Sequence, residues 1–209
     1  MAKLRFTSMS FSEIARQAWI RGDYGILKRS RASRYLRRVL PTKAKKRRKR
    51  RATDRFFGEA YVSAKLARSG GYYGSFRWLT NSYFLSRPSA ANRSGTDREQ
   101  LRWALWDQFD EALLTALHER ARRVARQIGE NPAPPDLWLF DNAGNHRFIE
   151  VKLPGDTVRP CQLAGLAVIA RSLRSRTGKR VEVEVIDLHP DGMEPNKTKA
   201  FNRLLRLAG

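Results

Sequence analysis

This chain is poor in the residues that hold soft metals or staple small folds. Its single cysteine, Cys161, excludes an internal disulfide and a cysteine-based zinc site, and its three histidines, His118, His146 and His189, fall in separate segments. Oxygen-ligated hard cations, Mg²⁺ or Mn²⁺, stay open. Long apolar runs are also missing. Nothing approaches the ~18 consecutive apolar residues of a membrane span, and the opening Met1-Ala2-Lys3-Leu4-Arg5 does not build the apolar stretch of a secretory leader. The expectation is a cytoplasmic or nucleoid-associated protein without a membrane partner. Acidic residues are scarce as well: 20 Asp plus Glu face 42 Lys plus Arg, a formal charge of +22 over 209 residues.

A charge this one-sided repels itself in the compact state and captures polyanions at long range. Nucleic acid is the first such partner to consider and an anionic surface the second. Five Trp and an apolar fraction of 41% still argue for a folded protein. The length allows one ordinary domain with an appendage.

The basic residues are unevenly spread. Lys28 to Arg51 holds 14 of the 42 and no acid, and it ends in Lys43, Lys45, Lys46, Arg47, Arg48, Lys49, Arg50 and Arg51. A block of like charge is expected to stay extended until a polyanion neutralises it. Read so, it is an arm that grips phosphates without sequence preference; a targeting tract and a solvated or membrane-touching tail are the alternatives. From 52 to 95, aromatic residues from Phe56 to Phe84 alternate with Arg55, Lys65, Arg68, Arg77 and Arg87. Such a mixture can stack bases and hold a backbone, although aromatics at this density more often fill a small core. Ala90 to Gly95 reads as a linker. The expected division is therefore 1–95, a basic, aromatic-rich region, and 96–209, a separate domain.

From Thr96 the pattern becomes regular. Thr96 and Glu99 form a capping box. Leu101, Leu105, Phe109, Leu113 and Leu117 continue a stripe towards Ile128, and Gly129 supplies the stop, which predicts one long helix over 97–128. Leu137–Phe140 and Phe148–Leu153 read as strands joined by a short loop, 162–174 as a helix, 181–186 as a third strand and 197–207 as a last helix. That order predicts an α/β (α+β) fold with a mixed sheet flanked by helices.

Chemistry concentrates where the two strands meet. Glu150 and Lys152 share one face of their strand, and Asp136 opens the neighbouring strand, so an in-register hairpin brings the two carboxylates together. Two close carboxylates resist joint ionisation unless a cation lies between them. A hard divalent ion there retains water and a free face for a phosphate oxygen. Glu150-Val151-Lys152 is the only acidic-x-Lys triplet among the 20 acids, and it lies within an apolar strand where unpartnered charge is costly. The bland alternative is a surface ion pair between Glu150 and Lys152, worth little.

Pro135-Asp136, Phe148-Ile149-Glu150-Val151-Lys152, Pro154-Gly155-Asp156 and Gln162 together resemble the virus-type replication-repair nuclease (VRR-NUC) domain of the PD-(D/E)xK superfamily, over about 111–187. The resemblance implies a restriction-endonuclease-like core with a basic N-terminal extension. It also implies Mg²⁺- or Mn²⁺-dependent hydrolysis of DNA phosphodiesters by a metal-activated water. In that reading Asp136, Glu150 and the Val151 backbone carbonyl hold the metal, Lys152 is the catalytic lysine, and Gln162 stands beside them. The family's helix carboxylate falls on Glu111, with Asp107, Asp110 and Glu119 as rivals. Family members serve in repair, in phage replication and as antibacterial toxins; a toxin would require an inhibitor (immunity) protein. RNA remains an open substrate, and a homodimer would suit cutting of both strands. The competing reading is a non-catalytic nucleic-acid-binding protein that retains the fold and works through its basic arm.

Overall fold

The computed structural model describes residues 4–48, 53–74, 76–90, 95–173 and 180–193. In chain order these form β1 (Arg5–Phe11), α1 (Glu13–Arg21), α2 (Gly25–Lys28), α3 (Arg34–Arg48), α4 (Phe57–Leu66), β2 (Gly70–Tyr73), α5 (Asp97–Gln108), α6 (Glu111–Ile128), β3 (Leu137–Phe140), β4 (His146–Lys152), α7 (Pro160–Leu173) and β5 (Val181–Pro190). The strands make one mixed sheet in the order β1-β5-β4-β3-β2. β5 runs parallel to both β1 and β4, whereas β3 runs antiparallel to β4 and to β2. This is the mixed, helix-flanked α+β sheet that the sequence predicts.

Alternation along the strands assigns each face its own core. Leu137, Leu139, Ile149, Val151, Ile186 and Leu188 face α1 to α4, where Phe11, Trp19, Leu36, Phe57 and Tyr61 complete the packing. Trp138, Phe148, Val183 and Val185 face α5 to α7. Residues on both sides of the expected boundary at 95 therefore share one sheet, with β1 at one edge and β2 at the other. Of the aromatic segment, Phe56, Phe57, Tyr61, Trp78 and Phe84 are buried, so most of it fills core.

Three expectations need correction. The basic block is not extended over 34–48 but helical. Leu36, Val39, Leu40 and Ala44 recur at three- and four-residue spacing and are buried, so one face of α3 packs on the sheet. Its charges go to the other side: Lys45, Lys46 and Arg47 are exposed, and Arg38 pairs with Asp97 at 2.6 Å. Lys49, Arg50 and Arg51 lie outside the described residues. Second, the helix expected over 97–128 is two helices. Phe109 is extended (φ −132°, ψ 139°), and the Asp110 carboxylate accepts the Leu113 N–H at 2.7 Å as a new N-cap. Third, the strand predicted over 181–186 runs on to Pro190, alongside the unforeseen β1. The helix predicted over 197–207 lies outside the described residues.

Two close approaches set the site. The 131–135 segment lies flat on α7: the Ala133 N–H donates to the Cys161 carbonyl at 2.8 Å, and a Cβ on Gly165 would stand 1.7 Å from the Ala133 oxygen. Glycine at 165 thus lets the chain leading to Asp136 rest against the helix that carries Gln162. On the opposite face, α4 packs so tightly on β4 that a Cβ on Gly58 would meet Val151 Cγ1 at 2.9 Å.

Candidate active site

Leu137 pairs with Ile149, which sets Asp136 across from Glu150 at the end of the β3–β4 ladder. The Val151 N–H donates to Asp136 Oδ2 at 2.9 Å. Glu150 and Lys152, 1% and 7% exposed, point to the α5–α7 side of β4. There the Lys152 ammonium pairs with Glu150 Oε1 at 2.9 Å and donates to Gln162 Oε1 at 3.0 Å. The Gln162 amide NH₂ donates to the same Glu150 oxygen. Gln162 Oε1 also accepts the Arg159 N–H at 2.9 Å, reaching back over the start of α7 as the third residue of a capping box does. This last contact fixes the glutamine, and the glutamine in turn fixes both charged groups.

Beyond β4, the Pro154-Gly155 turn closes with the Asp156 carboxylate accepting the Leu153 N–H at 3.1 Å; Gly155 takes the left-handed backbone this turn needs (φ 86°). The turn leaves Asp156 near enough to act on Asp136 electrostatically.

The carboxylates here are held far from their ordinary state. Glu150 is pushed up to about 9, by burial first and then by the Asp136 charge, with Lys152 opposing. Asp136 is also raised by burial, against the Val151 hydrogen bond. A third carboxylate takes part. Glu59, in the first turn of α4, is pushed up to about 8 by burial and then by Asp136, and Arg55 opposes the shift. Tyr73, at the end of β2, is raised by burial and by the charges of Glu59, Asp136 and Glu150. Carboxylates from three elements therefore share one electrostatic neighbourhood.

The structure thus brings together Asp136, Glu150, Lys152 and Gln162, all four named from the sequence. It does not bring Glu111 to them: Glu111 is exposed at the start of α6, next to the capping Asp110. A helix carboxylate that feels the Asp136 charge is Glu59. Its signal was legible, as one acid inside the buried run Phe56-Phe57-Gly58-Glu59-Ala60-Tyr61-Val62. Nothing in the chain between Glu59 and Asp136 says that α4 will lie near the start of β3.

Among the described residues, no group of three or more His, Cys, Asp or Glu is arranged to hold a metal ion as it stands. The donors nevertheless fit a hard cation. Glu150 Oε2 is buried without a hydrogen-bond partner, an expensive arrangement unless something positive meets it. Asp136 stands near enough to raise the Glu150 pKa and to hydrogen-bond its side chain, but only while one of the two carboxyls keeps a proton; with both ionised, that oxygen is left to a cation. Every nearby acidic donor is an oxygen, the ligand type that Mg²⁺ and Mn²⁺ take.

Compared with known proteins, residues 86–187 match the family model of the VRR-NUC domain. No curated protein and no solved structure gives a match.

Proposed function

From the match of residues 86–187 to the VRR-NUC domain, a nuclease domain of the PD-(D/E)xK type, we propose that this protein is a Mg²⁺- or Mn²⁺-dependent DNA endonuclease. The unpartnered, buried Glu150 Oε2 beside Asp136 is the observation that carries the reading. Asp136, Glu150, the Val151 backbone carbonyl and Glu59 would hold the cation. A bound divalent ion supplies charge neutralisation and lowers the pKa of water towards neutrality.

The chain's own groups do the rest. The Val151 N–H orients the Asp136 carboxylate. Gln162 holds Lys152 at the site while it is shared with Glu150. With the Glu150 charge met by the bound ion, the Lys152 ammonium would offset the negative charge that develops on the phosphate during in-line attack. The attacking water gives up one proton to solvent as its oxygen bonds to phosphorus, and the P–O3′ bond breaks. The products carry a 5′-phosphate and a 3′-hydroxyl, the leaving oxygen taking a proton from solvent. The exposed Lys45, Lys46 and Arg47 of α3 supply phosphate contacts without sequence preference.

The test is nicking of supercoiled plasmid with Mg²⁺, run beside gel retention of the same DNA. D136A and K152A are expected to lose nicking and keep retention. If both cut as the parent does, the assignment is wrong. A parent that retains DNA and never nicks it would favour the non-catalytic reading.

A further inference from the structure

The chain that leaves β2 is tied to the candidate active site at its root. The Gly74 N–H donates to the Asp136 carbonyl at 3.0 Å, and a Cβ at this position would stand 1.9 Å from the Pro135 oxygen. Tyr73 pairs with Leu137 and senses the Glu59, Asp136 and Glu150 charges. Just past it, Phe76 packs on the α5–α7 core and is half-buried. Arg77 follows, exposed, with φ 50°, a left-handed backbone rare outside glycine. Backbone strain of this kind concentrates where a function holds it.

Lys43 reaches this loop from α3. Its Nζ lies 5.3 Å from the Tyr73 ring centroid and 5.5 Å from that of Phe76. Unlike its exposed neighbours it is half-buried, and burial lowers its pKa. Among the described residues no carboxylate pairs with it; Asp97, whose charge it feels, is engaged by Arg38 at 2.6 Å. A half-desolvated ammonium lying on two aromatic rings, without an acid of its own, is prepared for an anion from outside the chain.

Resting on the nuclease reading, we propose that Lys43, Phe76 and Arg77 form a subsite for one unpaired nucleotide adjoining the scissile phosphate. Lys43 and Arg77 take its phosphate, and Phe76 stacks on its base. An unpaired base is required because the faces of a paired base are already covered by its neighbours in the duplex. All three residues precede the matched segment 86–187, so the subsite belongs to the part of the chain that completes the sheet.

The experiment measures fluorescence anisotropy of labelled dodecathymidylate and of a twelve-base-pair duplex, with EDTA present and at physiological salt. F76L keeps the apolar bulk and removes the stacking face. It should weaken dodecathymidylate binding about fivefold or more while duplex binding stays at the parental level. R77Q and K43Q should weaken the single strand more than the duplex. An F76L protein with the parental melting temperature and parental single-strand affinity overturns the proposal, as does an equal loss on both probes. Should F76L lower the melting temperature, the exposed R77Q decides by the same comparison. The readout needs neither metal nor cleavage. A parent that binds the single strand through Phe76 and never nicks plasmid would sink the nuclease reading alone, and parental binding by D136A keeps the two questions apart.

Discussion

Gln162 is bonded to three groups at once: the Arg159 backbone, the Lys152 ammonium and the Glu150 carboxylate. It therefore acts as a positioning residue, setting where the charged pair stands before substrate arrives. Q162A should lower metal affinity or plasmid nicking by about 10–100-fold, as loss of a supporting partner typically does. Its melting temperature should move much less, because the side chain sits at a helix start. The two candidate helix carboxylates can be separated in the same assay. E59Q should cut nicking by roughly tenfold or more, whereas E111Q, exposed at the start of α6, should behave as the parent. Equal behaviour of these two variants would remove Glu59 from the site. At this scale the strand words were legible because Asp136, Glu150 and Lys152 are charges set into apolar strands. Glu59 stands out in the same way, as one acid in an apolar run, but nothing local says which distant strand end its helix will lie against.

Helix α3 shows how charge and packing divide one element. Burial of a Val or Leu side chain contributes about 1.5–3 kcal/mol, and α3 buries Leu36, Val39 and Leu40 together with Tyr35. Against a total stability of roughly 5–15 kcal/mol, deletion of 28–51 should unfold the protein instead of merely trimming its grip on DNA; loss of the cooperative thermal transition would show it. The charged face can be tested without that cost. Changing Lys45, Lys46 and Arg47 to Gln should leave the melting temperature near parental and reduce the salt slope of DNA binding by about 2–3, near 0.9 for each phosphate no longer neutralised. An unchanged slope would take this face out of the interface. The helix was hidden in the sequence because the like charges outnumber the apolar residues whose spacing marks the buried stripe. The α5–α6 break was hidden for the opposite reason. The leucine stripe runs across Phe109 in phase, so periodicity alone does not show the new cap at Asp110.

At the scale of the molecule, the matched segment is one part of a sheet that residues ahead of it complete. β1 and β2 occupy its edges, and α4 carries Glu59 within electrostatic reach of Asp136, so residues on both sides of 95 bear on the site. Its buried carboxylates also link stability to pH. Glu59 and Glu150 are raised in the folded protein, to about 8 and about 9. The folded state therefore holds protons that the unfolded chain releases near the ordinary carboxylate range. Stability from this source is full below that range and is lost as pH rises through the folded values. The melting temperature of the metal-free protein should fall between about pH 6 and pH 9. Added Mg²⁺ should raise it more at the alkaline end, and E150Q should flatten both dependences. A pH profile unchanged in E150Q would show that these carboxylates are not the source.

The central claim is that Asp136 and Glu150, joined by Glu59, hold one divalent cation. Anomalous diffraction from crystals of the full chain grown with Mn²⁺ tests it most directly. The account predicts a single strong peak between the Asp136 and Glu150 carboxylates. A map without a peak there, or with its peak at Glu111, would contradict it.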